Sequence, residues 1–113
     1  QIRSLNIGDR VGYNAQYIAD KPHDIAVLAM GYADGYLRSF SNSGCFISGS
    51  SKLPVLGRVS MDLVTLNADA APSLSEGDWV DIDYDLVKSS ELSKLSQYEL
   101  LTGLGDRFDR IWE

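Results

Sequence analysis

Short β-forming stretches, set apart by Gly, Ser, Asn or Pro at intervals of about 8–12 residues, constrain this chain more than any other feature. Cys45 to Ser48, Leu53 to Leu56, Leu63 to Leu66 and Trp79 to Ile82 are such runs. Upstream, Val11, Tyr13, Ala15, Tyr17 and Ala19 alternate with their neighbours, a period of two that predicts one strand from Arg10 to Ala19 with Tyr13 and Tyr17 on a shared face. A polar turn centred on Pro22 follows. The apolar run Ile25 to Met30 then reads as a buried strand completing a hairpin with the first. His23, inside the turn, is expected at the surface. The fold class is mainly β: a small β-barrel-like domain.

The pattern changes near the C-terminus, where Ser89 to Leu95 and Ser96 to Leu101 lack β-branched residues and predict two short helices. Ser96 and Glu99 have capping-box spacing, with the serine accepting from the Glu99 amide and the carboxylate reaching back to the Ser96 amide. Tyr98 then sits in a first turn whose dipole and free amides suit an anion. Gly103 ends that helix, and Phe108 to Trp112 is expected as a last strand. Glycines at both ends of Gly31 to Gly35 predict a sharp turn displaying its side chains.

Composition bounds the function classes. A chain of 113 residues holds one domain, spanning 1–113, and 44% apolar residues can build its core. No apolar run approaches the roughly 20 residues of a membrane span. Ten basic against sixteen acidic side chains leave a net charge of −6, which opposes nucleic acid and anionic membranes. One cysteine, Cys45, and one histidine supply neither a disulfide nor a structural zinc site, and a reducing compartment fits best. The phosphate-binding Gly-Lys-Ser/Thr loop, the nucleophile elbow and the His-Glu-x-x-His helix are absent. Six tyrosines, several beside glycines or in predicted turns, remain as unusual features.

Four ordered motifs carry a resemblance over about Gly8 to Trp112. Gly12-Tyr13-Asn14-Ala15, Gly31-Tyr32-Ala33-Asp34-Gly35, Gly57-Arg58-Val59-Ser60-Met61-Asp62 and Tyr98-Glu99 with Thr102-Gly103-Leu104 together resemble the C-terminal domain of bacterial alanine racemase. The resemblance implies an isomerase that interconverts L- and D-alanine for peptidoglycan synthesis in the cytoplasm. It implies a head-to-tail homodimer with pyridoxal 5'-phosphate, whose lysine anchor belongs to an N-terminal α/β barrel domain absent from this chain.

On that resemblance Tyr13 is the catalytic acid/base on the L-alanine side, reaching into the partner's active site. Racemisation needs two such groups, because a proton taken from one face of a planar carbanion must return on the other. A free phenol has a pKa of about 10, so Tyr13 needs cationic neighbours, which the family draws from a His and Arg network in the barrel domain. The resemblance assigns Tyr98 to the cofactor phosphate, the backbone region of Met61 to the substrate carboxylate, and Tyr32, Arg38 and Arg58 to the access channel. Read without it, Met61 is a core methionine, Tyr98 packs on the last strand, Arg58 is an edge-strand charge and Arg38 a solvated loop residue. Asp34 and Asp62 read as turn-forming or hydrogen-bonding supports. Lys21, Lys52, Lys88 and Lys94 read as solvated charges.

Two departures stand out: Ser96-Gln97 replaces the family's usual Ile-Asn, and Gly105-Asp106 stands where Ser-Pro often precedes the final arginine. The first alters the channel lining and opens a serine-preferring or broad-specificity racemase as an alternative. From another class, a non-catalytic β-barrel that binds a ligand or protein also stays open. The isolated domain is expected to be monomeric or weakly associated and inactive alone.

Overall fold

The structure, a computed structural model, describes residues 1–11 and 17–111. Its strands are β1 (Ile2–Leu5), β2 (Arg10–Val11), β3 (Tyr17–Ile18), β4 (His23–Leu28), β5 (Cys45–Ser48), β6 (Ser51–Pro54), β7 (Val64–Asn67) and β8 (Asp81–Ile82). Two helices follow, α1 (Leu86–Ser93) and α2 (Gln97–Thr102).

The apolar run of β4 is central because it pairs on both edges. It is antiparallel to β1, from Ile2 opposite Ala26 to Leu5 opposite His23, and to β7, from Ile25 opposite Asn67 to Leu28 opposite Val64. A second sheet has the order β6-β5-β8, with Phe46 opposite both Leu53 and Ile82. One bridge, Val55 to Leu66, joins the two sheets. The chain is thus mostly sheet with two short helices, but the described ladders do not close a barrel: β1 and β8 do not pair, and the Ile2 amide donates to the Glu76 carboxylate at 3.3 Å.

The single strand expected from Arg10 to Ala19 is instead an antiparallel pair, with Arg10 opposite Ile18 and Val11 opposite Tyr17. Alternation persists through both arms of a hairpin, so periodicity alone does not separate the two cases. Residues 12–16, with the expected shared face of Tyr13 and Tyr17, lie outside the described residues. The hairpin expected between this segment and β4 does not form, because β1, a stretch too polar to read as a strand, takes that edge.

Burial follows the pleat. Val64 and Leu66 of β7 are buried while Thr65 and Asn67 are half-buried, as expected of a strand with one face on a core. One apolar cluster gathers Tyr36, Phe40, Phe46, Leu53, Val64 and Leu66 between the sheets, and a second gathers Leu5, Val11, Ala19, Ile25 and Leu56 beneath β2 and β3. Trp79, expected to open a strand, is exposed, and that strand shrinks to Asp81–Ile82.

Helix α1 begins earlier than its pattern indicates because Asp85 caps it, accepting from the Val87 and Lys88 amides at 3.0 and 3.1 Å. Ser96 caps α2 as expected, accepting from the Glu99 amide at 3.1 Å. The Glu99 carboxylate accepts from the Ser96 hydroxyl at 3.0 Å rather than from its amide, so the box closes through the side chains. Gly103 ends α2 as expected, its amide donating to the Glu99 carbonyl. No strand forms over residues 108–111, and Trp112 lies outside the described residues.

Candidate functional site

Two loops converge at the end of the sheets. In the first, Gly31 precedes a tight turn over Tyr32–Asp34, closed by the Gly31 amide donating to Asp34 Oδ2 at 3.0 Å. Gly35, at φ +96°, adopts the left-handed conformation that glycine accepts without penalty. In the second, the Ser60 hydroxyl accepts from the Leu63 amide and donates to the Leu63 carbonyl, holding Met61 and Asp62 outward. The loops are stitched together by the Tyr32 and Ala33 amides, which donate to the Ser60 and Met61 carbonyls at 3.0 and 3.1 Å.

Between them lies an open concavity of about 370 Å³ that brings Tyr32, Arg38 and Met61 together, with Asp62 and Leu63 on its rim. The Arg38 guanidinium lies 5.1 Å from the Tyr32 ring centroid, a cation–π arrangement that orients both side chains. Met61 is 53% exposed, so it is not a core methionine. Arg58 is half-buried and does not line the concavity. Lys21, Lys52, Lys88 and Lys94 are exposed, as expected. Tyr13 lies outside the described residues.

Tyr98 is 76% exposed on α2 and packs on no final strand. The helix end beneath it is not an anion site. The helix has only six residues, and its first turn carries the Glu99 carboxylate, which repels an anion where free amides were expected to attract one. What Tyr98 offers is a phenolic O–H donor.

Two polar clusters are not evident from sequence spacing. His23, expected at the surface, is 5% exposed in β4. Its Nδ1 lies 2.7 Å from Asp69 Oδ2 and its Nε2 2.9 Å from the Tyr17 hydroxyl, while Asp69 Oδ1 accepts from the Asp24 amide at 2.7 Å. The hydrogen bond from His23, then that from the Asp24 amide, holds the Asp69 carboxyl below its ordinary value. Desolvation, then the Asp20 and Asp69 charges, pushes the Tyr17 phenol above its own. In the second cluster Arg107 Nε lies 2.6 Å from Oδ1 of the buried Asp34 and its Nη2 3.1 Å from Asp62 Oδ1. Asp34 and Asp62 are therefore supports, as expected, but their shared partner lies 45 residues or more downstream of either.

The alanine racemase C-terminal domain family matches residues 1–112. The chain belongs to that family. Alanine racemase of Brucella ovis is 38% identical over 117 residues, covering 99% of this chain and 30% of the relative. The solved alanine racemase of Bartonella henselae, described with covalently bound pyridoxal phosphate, superposes with a TM-score of 0.90 at 34% identity, covering 100% of this chain and 33% of that one. The biosynthetic alanine racemase of Pseudomonas aeruginosa gives a TM-score of 0.85 at 30% identity, covering 100% and 32%. The racemase C-terminal domain described here therefore spans about a third of the length of these relatives. Among the described residues no helix is long and apolar enough to cross a membrane.

Proposed function

We propose that this domain, spanning residues 1–113, is one domain of a pyridoxal-phosphate-dependent alanine racemase, contributing its groups to the active site of a partner subunit in a cytoplasmic homodimer. The concavity shared by Tyr32 and Met61, with Arg38 beside Tyr32, carries this reading, since residues of two separate motifs of the family meet on one open wall. The six connected strands of the two sheets approximate the barrel-like form of such a domain.

The donor chemistry fits the cofactor in part. The exposed Tyr98 phenol can donate to one phosphate oxygen, and the remaining phosphate ligands and the anchoring lysine are drawn from the barrel domain. When bound, the cofactor withdraws electrons from the substrate α-carbon and so acidifies its proton. Tyr13 takes or returns that proton on the L face, its phenol lowered by cations from the neighbouring polypeptide. The backbone near Met61 meets the substrate carboxylate. Tyr32, Arg38 and Arg58 form the polar constriction through which alanine passes.

The deciding experiment is Tyr13→Phe in the full-length protein, followed by exchange of the α-proton with solvent deuterium from each alanine enantiomer. Loss of a positioned acid/base costs about 10²–10⁴-fold, so exchange from L-alanine should fall by that order while cofactor absorbance is retained. Near-wild-type exchange from L-alanine removes the assigned role.

A further inference from the structure

Arg107 touches both loops of the concavity from outside. Its Nε takes Asp34 Oδ1, whose other oxygen already closes the Tyr32 turn, and its Nη2 takes Asp62 Oδ1 in the Met61 loop. The segment leading to it from α2 lies hard against the first loop. A Cβ on Gly105 would come within 3.0 Å of the Ala33 carbonyl, one on Gly35 within 3.0 Å of the Gly103 carbonyl, and the Gly105 amide donates to the Asp34 carbonyl at 3.3 Å. Tyr98, Tyr32 and Met61 therefore hang on three segments that this short stretch ties together.

We infer that Arg107 is a positioning residue that sets the separation of Tyr32 from Met61, and through it the size of amino acid the concavity admits. The inference rests on the proposed racemase function for its substrate and on the geometry alone for the tie. The guanidinium side chain is 59% exposed, a setting in which ion pairs add little to stability, so its consequence is geometric. A planar fork with nitrogens aimed at two carboxylates holds two loops at a set distance; the single ammonium of lysine does not. Arg107 lines no part of the concavity, so it acts only through Asp34 and Asp62.

The test uses the full-length protein loaded with pyridoxal phosphate, as wild type, Arg107→Lys and Asp62→Ala. The second variant cuts one arm while leaving the buried Asp34 paired. Hydrogen exchange of the peptide containing the Tyr32 and Ala33 amides should quicken by about tenfold in both variants, with the β4 peptide unchanged. In Arg107→Lys, whose side chain lies outside the concavity, the KM for alanine should rise roughly three- to tenfold with kcat within about twofold, and the kcat/KM for 2-aminobutyrate relative to alanine should increase. Unchanged exchange, or unchanged selectivity alongside faster exchange, overturns the inference. A wild-type protein that binds the cofactor but does not racemise alanine overturns the proposed function instead, and the exchange comparison still decides the tie.

Discussion

The His23 cluster gives a stability prediction that can be worked from its geometry. Asp69 accepts at His23 Nδ1, so in the neutral ring the proton sits on Nδ1 and Nε2 accepts from the Tyr17 hydroxyl. Asp69→Ala removes the charge-assisted hydrogen bond with His23, a class contributing about 1.5–3 kcal/mol, together with the acceptor of the Asp24 amide, which is exposed and turns to water instead. The Asp69 side chain is 44% exposed and water competes there, which brings the expected loss to about 1–2 kcal/mol. Tyr17→Phe leaves Nε2 without a donor on a side chain 4% exposed, at a cost of about 1–3 kcal/mol. The Asp20 carboxylate, 3.7 Å from Nε2, cannot supply a proton in its place.

The double variant should lose less than the sum. Once Asp69 is gone the ring can change tautomer, with Nδ1 accepting from Asn67 Nδ2, now 3.3 Å away, and Nε2–H turning to Asp20. We expect a coupling of about 0.5–1 kcal/mol, read as opening free energies from native-state hydrogen exchange of the β3–β4 peptide in the full-length protein. Asp69→Ala should exchange roughly 5–30-fold faster and Tyr17→Phe roughly 5–160-fold faster. The acid limb supplies a second check. A carboxyl held below its ordinary 3.8 stabilises the fold fully above that value and loses its contribution as pH falls through the folded value. The gap between wild type and Asp69→Ala should therefore shrink as pH falls below about pH 4. Additive losses with a pH-independent gap would refute the tautomer argument.

Further outcomes follow from single contacts. A Cβ on Gly31 would collide with the Ser60 and Met61 carbonyl oxygens, so Gly31→Ala must part the loops, costing about 1–3 kcal/mol or more in urea denaturation; an unaffected midpoint contradicts this. Asp85→Ala removes the cap of α1 and should cost about 0.5–2 kcal/mol, with Asp85→Asn recovering most of it; equal losses in the two variants would show that the cap is not the cause. Phe46, 1% exposed between the sheets, should cost about 3–5 kcal/mol on truncation to Ala, and a loss below 1 kcal/mol would misplace the core.

What could be read from sequence was local. Strand β5 and the Ser96 and Gly103 caps are determined by residues close in the chain, and they fall where the pattern puts them. The errors are non-local. β1 is a strand because β4 presents a free edge, although Arg3 and Ser4 are exposed and show no apolar alternation. His23 follows a proline in a polar turn, and only the folding of Asp69 against it from 46 residues away makes burial tolerable, since a buried ring without partners is costly. The site divides the same way. Motif residues Tyr32 and Met61 meet, with Arg38 stacked on Tyr32, whereas the guanidinium joining their loops comes from Arg107, outside all four motifs.

The domain's surface bears on how its site can work. Met61 and Leu63 are about half exposed, Tyr98 is 76% exposed and Ile111 84%, and an apolar side chain left in water forgoes roughly 1.5–3 kcal/mol of burial. A wall of this kind positions groups without enclosing them. Excluding water also strengthens the electrostatic contacts around the reacting carbon and suppresses side reactions. Under the proposed function the enclosing surface must come from the two thirds of the relatives' length that this chain does not span. The catalytic distance from Tyr13 to substrate is then set across an interface, while the spacing of Tyr32 and Met61 is set within the domain. Substitutions at Arg107 should therefore alter which amino acid is accepted without changing the face from which its proton is taken.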